Sequence, residues 1–259
     1  MKRIWGSVCT ATTVLAGCVL LMPACNHPDA SLFIQGIVAP PTPTSGGGCT
    51  YSTPSSTETL LFSGSVDVAV ATSYTEVVLL GNQILPQADP NSDKAETSSI
   101  TLDKVTVHVT DSLDNTLGDY TTQVSGFIPV GAAGTPGYGY LSAELIGGTA
   151  MEKLTAQAKA TPYKQFTAIT SFYFTGKTLG DVTVTSDTFS YDVAVCYGCL
   201  VNFTGFTVAG HPDQCDYGST TAPTVSCNQG EDAAYDCITC SDPICQFAGS
   251  GGVVADAGP

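Results

Sequence analysis

Cysteine placement constrains this chain more than any other feature. Seven of its eleven cysteines fall between Cys196 and Cys245, while the 146 residues between Cys49 and Cys196 contain none. A cysteine-dense end in an oxidising compartment is a disulfide framework, and the cysteine-free stretch before it must fold on its own apolar core. The dense end holds an odd number: Cys196, Cys199, Cys215, Cys227, Cys237, Cys240 and Cys245. If all are oxidised within the molecule, one of them bonds to Cys49. Cys196 or Cys199 is the expected partner, because both adjoin a core strand. Such a bond would also bring the N-terminal tether and the cross-linked end to the same end of the body.

The N-terminus supplies the oxidising compartment. Lys2-Arg3 is followed by an uncharged run from Ile4 to Ala24, a basic n-region and an apolar h-region in the order of a secretory signal. Leu15-Ala16-Gly17-Cys18 and Met22-Pro23-Ala24-Cys25 each place small residues before a cysteine. This arrangement resembles the signal of bacterial lipoproteins, in which that cysteine receives lipid. Cys25 is the expected lipidation site and Cys18 the alternative. Cleavage before Cys25 exposes polar Asn26-His27-Pro28-Asp29 and leaves eight cysteines that can all pair; cleavage before Cys18 exposes Val19-Leu20-Leu21-Met22 and leaves nine. The resemblance implies attachment to a membrane through the N-terminal lipid. With Asn26 rather than Asp after the lipidated cysteine, it implies the outer membrane.

From Leu60 onward the hydrophobic period is two. Val66, Val68 and Val70 alternate, and Tyr74 to Leu80 continues in β-formers. Ile100 and Leu102 share one parity and Val105, Val107 and Val109 the other, which predicts a bulge near Asp103-Lys104. Leu141 to Ile146, Phe166 to Thr175 and Val182 to Val195 are further strand runs. Thr149-Ala150-Met151-Glu152 has capping-box spacing, and Met151, Leu154 and Ala158 follow as an apolar stripe that Pro162 ends. The expected fold is mainly β: an antiparallel β-sandwich, immunoglobulin-like in style, with one short helix near 149–159 and a disulfide-rich C-terminal segment. The expected organisation is a signal peptide at 1–24, a lipid-anchored Pro/Gly/Ser tether at 25–58, a β-sandwich domain at 59–207, a disulfide-rich segment at 208–248 and a flexible tail at 249–259. The apolar patch Leu32-Phe33-Ile34 interrupts the tether and is expected to dock on the body as an added strand. The body resembles, in general style, the β-sandwiches of envelope lipoproteins with Cys-rich ends.

Charge excludes one class of partner. Past Arg3 the chain carries six lysines, no arginine and all 23 acids, so it repels nucleic acid and lacks the planar guanidinium that grips phosphate. A protein or glycan partner fits better. Among motifs with chemistry, Cys196-x-x-Cys199 and Cys237-x-x-Cys240 could hold zinc or cycle as a redox pair. The 37-residue gap and the extra cysteines fit structural disulfides better. Asp89, Asn91 and Asp93 alternate like the start of a calcium loop, but Lys94 and Ile100 stand where glycine and glutamate are required. Gly176-Lys177-Thr178 is a turn, not a phosphate loop. His27, His108 and His211 have no sequence neighbours that form a triad. No catalytic motif and no cofactor are expected. The function read from the sequence is a lipid-anchored, non-catalytic envelope protein that binds or organises a partner. The alternatives are an envelope hydrolase using loop acids and a CxxC redox or zinc protein.

Overall fold

A computed structural model describes residues 31–44, 48–87, 95–132, 134–162, 164–202, 206–208, 211–216 and 227–236. Both lipidation candidates, the Asp89-Asn91-Asp93 group, Cys237, Cys240, Cys245 and the tail lie outside these residues. Fourteen strands and one helix are described: β1 (Leu32–Val38), β2 (Leu60–Leu61), β3 (Gly64–Asp67), β4 (Tyr74–Asn82), β5 (Ile100–Asp111), β6 (Thr116–Ile128), β7 (Gly137–Ile146), α1 (Gly148–Ala160), β8 (Phe166–Thr178), β9 (Thr183–Thr185), β10 (Phe189–Cys196), β11 (Val201–Asn202), β12 (Phe206–Val208), β13 (His211–Asp216) and β14 (Tyr235–Asp236).

Two sheets face each other across one core. The first has the order β2-β1-β4-β7 and the second β3-β10-β8-β5-β6, with β9 beside β8; pairing within both is antiparallel except for β3 against β10. Alternate residues of each strand point into the space between the sheets, so Val105, Val107 and Val109 on β5 meet Phe172 and Phe174 on β8 and Val193 and Val195 on β10 in one buried cluster. The parity switch in β5 is a bulge: register shifts between Leu102 and Lys104 against both β6 and β8. The run 182–195 is two strands, because Ser186 breaks the ladder by lending its hydroxyl to the Phe174 N–H at 3.0 Å. Where the sheets approach at one side, Gly137 lets β7 pass the Pro129 carbonyl; a Cβ there would collide with it.

The helix spans Gly148–Ala160 and buries Ala150, Met151, Leu154 and Ala158. Its stripe is as the sequence spacing places it, but the capping box does not form. Gly147 is the N-cap, no side chain caps the helix, and Thr149 already lies within the first turn.

The expected tether boundary at residue 58 gives way to the sheet. β1 lies between β2 and β4, with Leu32 opposite Asn82 and Ile37 opposite Val78, and Leu32 and Ile37 are fully buried. Residues 32–38 belong to the body because β4 would otherwise offer a long unpaired edge.

Cys49 bonds to Cys227, a sequence separation of 178, and Cys196 bonds to Cys199; both pairs have Cα atoms 5.9 Å apart. The expectation that Cys196 or Cys199 would hold Cys49 is corrected. They close on each other across a turn in which Gly198 takes φ +81°, a left-handed conformation that costs glycine little. The Cys49–Cys227 bond ties the loop between β1 and β2 to the segment 227–236. Double replacement Cys49→Ser/Cys227→Ser removes a long-loop constraint and is expected to lower unfolding free energy by roughly 3–5 kcal/mol. Denaturant titration measures it, and non-reducing peptide mapping reads the pairing directly.

Candidate functional site

β4 carries an acid where its pattern demands an apolar residue. Tyr74, Val78 and Leu80 are buried on the core parity of this strand, and Glu76 shares that parity and is fully buried. From across the sandwich end, the segment 227–236 brings Glu231 and Asp232 to the same place. Asp232 Oδ2 accepts from the Tyr74 hydroxyl at 2.7 Å, and Oδ1 accepts from the Ser65 N–H. Glu231 Oε2 accepts from the Thr75 N–H at 3.2 Å. Gly64 makes room for this, since a Cβ there would collide with the Tyr74 hydroxyl. The Glu76 carboxyl lies against that of Asp232, yet neither of its oxygens has an aligned hydrogen-bond partner; nor does the buried Tyr191 hydroxyl.

Burial, then the negative charges of Asp232 and Glu231, push the Glu76 carboxyl up to about 9. Burial likewise pushes Glu231 up to about 7, with the Thr75 N–H opposing and the Asp232 charge adding. Tyr74 and Tyr191 are raised too, first by burial and then by these same acids. Perturbed acids of this kind mark active-site candidates when a cleft reaches them. Among the described residues, the cavity that stands out lies elsewhere. A cavity of about 420 Å³ lies near Ser31, Ile84, Gln87, Ser98 and Thr183, past the Asn82 end of β4, whereas the acids sit at its Tyr74 end.

The second polar centre is Asp67, also fully buried. Its carboxylate accepts from the N–H groups of Ala69 (3.0 Å), Gly198 (2.7 Å) and Leu200 (2.9 Å). Its own N–H donates to Gly230 O at 2.9 Å, and its carbonyl accepts from Val70 and Ala71. Ligand atoms of Asp67, Cys196 and Cys199 lie within 4.8 Å of one another. The sulfurs are bonded to each other, however, and the turn N–H groups that would favour a thiolate are spent on the carboxylate. This is the chemistry of a structural disulfide.

The structure also gathers a row that sequence spacing hides. On the outer face of the second sheet, Asp119 of β6, His108 of β5, Ser171 of β8 and Ser190 of β10 stand in register. His108 Nδ1 contacts Asp119 Oδ1, and Ser171 bonds Ser190 at 2.9 Å. His108 makes no bond to Ser171 and is 46 % exposed on an open face, so the row has the residue types of a triad without its geometry. His211 opens β13.

None of the residues singled out from sequence as catalytic or metal-binding candidates falls in the acid cluster. Glu76 could have been found: Tyr74, Glu76, Val78 and Leu80 are one period-two face. Glu231 and Asp232 could not, because only the cross-linked fold brings them to β4.

No protein-family model matches this sequence, and no curated protein does. Among solved structures the chain is similar to a late embryogenesis abundant (LEA) protein determined in solution. That likeness has a TM-score of 0.31 and 10 % identity, over 52 % of this chain and 71 % of that one. It is too distant to carry an argument about fold or function.

Asp67→Ala leaves three backbone donors without their acceptor and is expected to cost roughly 3–4 kcal/mol. Asp67→Asn, which keeps one acceptor oxygen, should cost about half as much by the same reasoning. Urea unfolding with disulfides intact checks both; a loss below about 1 kcal/mol, the worth of one ordinary hydrogen bond, would show that Asp67 does not organise this end.

Proposed function

We propose that the protein is a lipid-anchored, non-catalytic component of the cell envelope, attached to the outer membrane through Cys25, which presents its disulfide-linked end to a protein or glycan partner. The observation that supports this most directly is where the chain enters the body. Leu32 begins β1 opposite Asn82, at the far end of β4 from Tyr74 and the acid cluster. From Cys25 to Leu32 is a stretch of seven residues, which spans at most about 25 Å. An anchor at Cys25 therefore holds the Leu32 end of the sandwich near the bilayer and turns the cross-linked end away from it. The cysteine count alone leads one to expect the tether and the cross-linked end together. The entry of β1 separates them by the length of the strand, roughly 20 Å, because Cys49 lies beyond β1 rather than before it.

A hydrolase reading has raised carboxyls in its favour, but the most strongly raised of them, Glu76, is fully buried. A redox or zinc reading would require the Cys196–Cys199 bond to open beside a carboxylate that already occupies the turn. Neither has an observation that favours it over a partner-binding role.

Intact-mass analysis of detergent-extracted protein is expected to give a chain beginning at Cys25 with acyl chains on that residue, and Cys25→Ala should release the protein from the membrane fraction. A soluble, unlipidated product with another N-terminus would overturn the proposal.

A further inference from the structure

β3 is the outermost strand of the second sheet, and one of its edges is already paired with β10. Residues 230–232 cover the other edge. The Asp67 N–H donates to Gly230 O at 2.9 Å, the Asp232 N–H donates to Ser65 O at 2.8 Å, and Val66 and Glu231 form an antiparallel bridge. The segment thus occupies an edge that would otherwise be open to strand addition.

What it inserts against the body is the unusual part. The acids that act on Glu76 are Asp232 and Glu231 from the segment, opposed more weakly by the Val77 N–H of its own strand. Around the same cluster stand Tyr74 from its own strand, Tyr191 from β10 and Tyr51 from the loop after β1. None of these is a cation. Two carboxylates pressed together in a buried site repel strongly unless a proton lies between them.

We propose that residues 227–236 form a proton-operated clasp over the edge of β3, closed while Glu76 keeps its proton against Asp232 and loosened when that proton is lost. The Tyr74 hydroxyl and the Ser65 N–H donate to Asp232, whereas neither oxygen of Glu76 has an aligned partner, so the proton is assigned to Glu76. The upward push on Glu76 agrees with this. The sign follows from linkage: a carboxyl that keeps its proton above the unfolded value stabilises the closed form most fully at acid pH. That contribution is lost as pH rises toward about 9, the value for folded Glu76. Glu231 acts in the same direction, with its own loss ending near 7. The Cys49–Cys227 bond keeps the loosened segment tethered, so opening is local and reversible. The clasp is independent of the anchoring proposal.

Hydrogen exchange on the disulfide-intact mature chain tests it. Protection factors of the Asp67 and Asp232 amides, taken relative to interior amides of β5 and β8, should fall roughly tenfold per pH unit between pH 7 and 9, the signature of one proton. Glu76→Gln should abolish that fall, and Glu76→Met serves if the amide variant does not fold. A flat wild-type profile, or a variant with the wild-type slope, overturns the clasp. An infrared measurement on the wild type needs no variant: a buried protonated carboxyl band should persist at pH 7 and vanish above the transition. Its absence at pH 7 also overturns the proposal.

Discussion

The arrangement of this protein's cross-linked end depends on one buried carboxylate. Asp67 terminates β3, and with its side chain and main chain together it fixes the turn after β3, the Cys196–Cys199 turn and the segment at Gly230. Three elements distant in sequence converge on a single residue because a carboxylate accepts several N–H bonds at once, each stronger than a neutral pair. Burying the charge is tolerable only because those donors replace its water. With the turns held in this way, the sulfurs of Cys196 and Cys199 are brought within bonding reach rather than having to pull the chain into place.

The neighbouring acids show the opposite case. Glu76 faces the core with no aligned hydrogen bond to either oxygen, and its side-chain polar neighbours are acids and phenols. Two buried acidic sites a few residues apart along the same end therefore behave differently. Asp67 is supplied with dipoles, whereas Glu76 is left with a proton as its means of neutrality. The disulfide at Cys49–Cys227 keeps the acidic segment on the body against this repulsion.

The β strands were legible wherever one face was apolar and the other polar. β5, β7 and β8 follow the period-two pattern, and the bulge in β5 falls where the parity switches. β6 did not stand out, though it is 13 residues long. It lies at the edge of its sheet, and Gly118, Thr122 and Gly126 interrupt the inward-facing row of Tyr120, Val124 and Ile128. β1 was visible as an apolar patch, but its interior place in the first sheet depends on β4 having an edge to fill. The helix stripe was legible and its cap was not, because a glycine start at Gly147 took precedence over the local capping signal.

Legible in the chain alone were the β class, the parity of most core residues, and the need for Cys49 to find a partner in the cysteine-dense end if every thiol is oxidised. These follow from periodicity and count, which are properties of the chain read in order. Only the tertiary structure decided that the partner is Cys227, that Leu32 and the cross-linked segment lie at opposite ends of β4, and that Glu76, Glu231 and Asp232 meet. Those facts depend on which strands pair and which way they run, and pairing across more than a hundred residues is set by how two faces fit together, not by any local pattern.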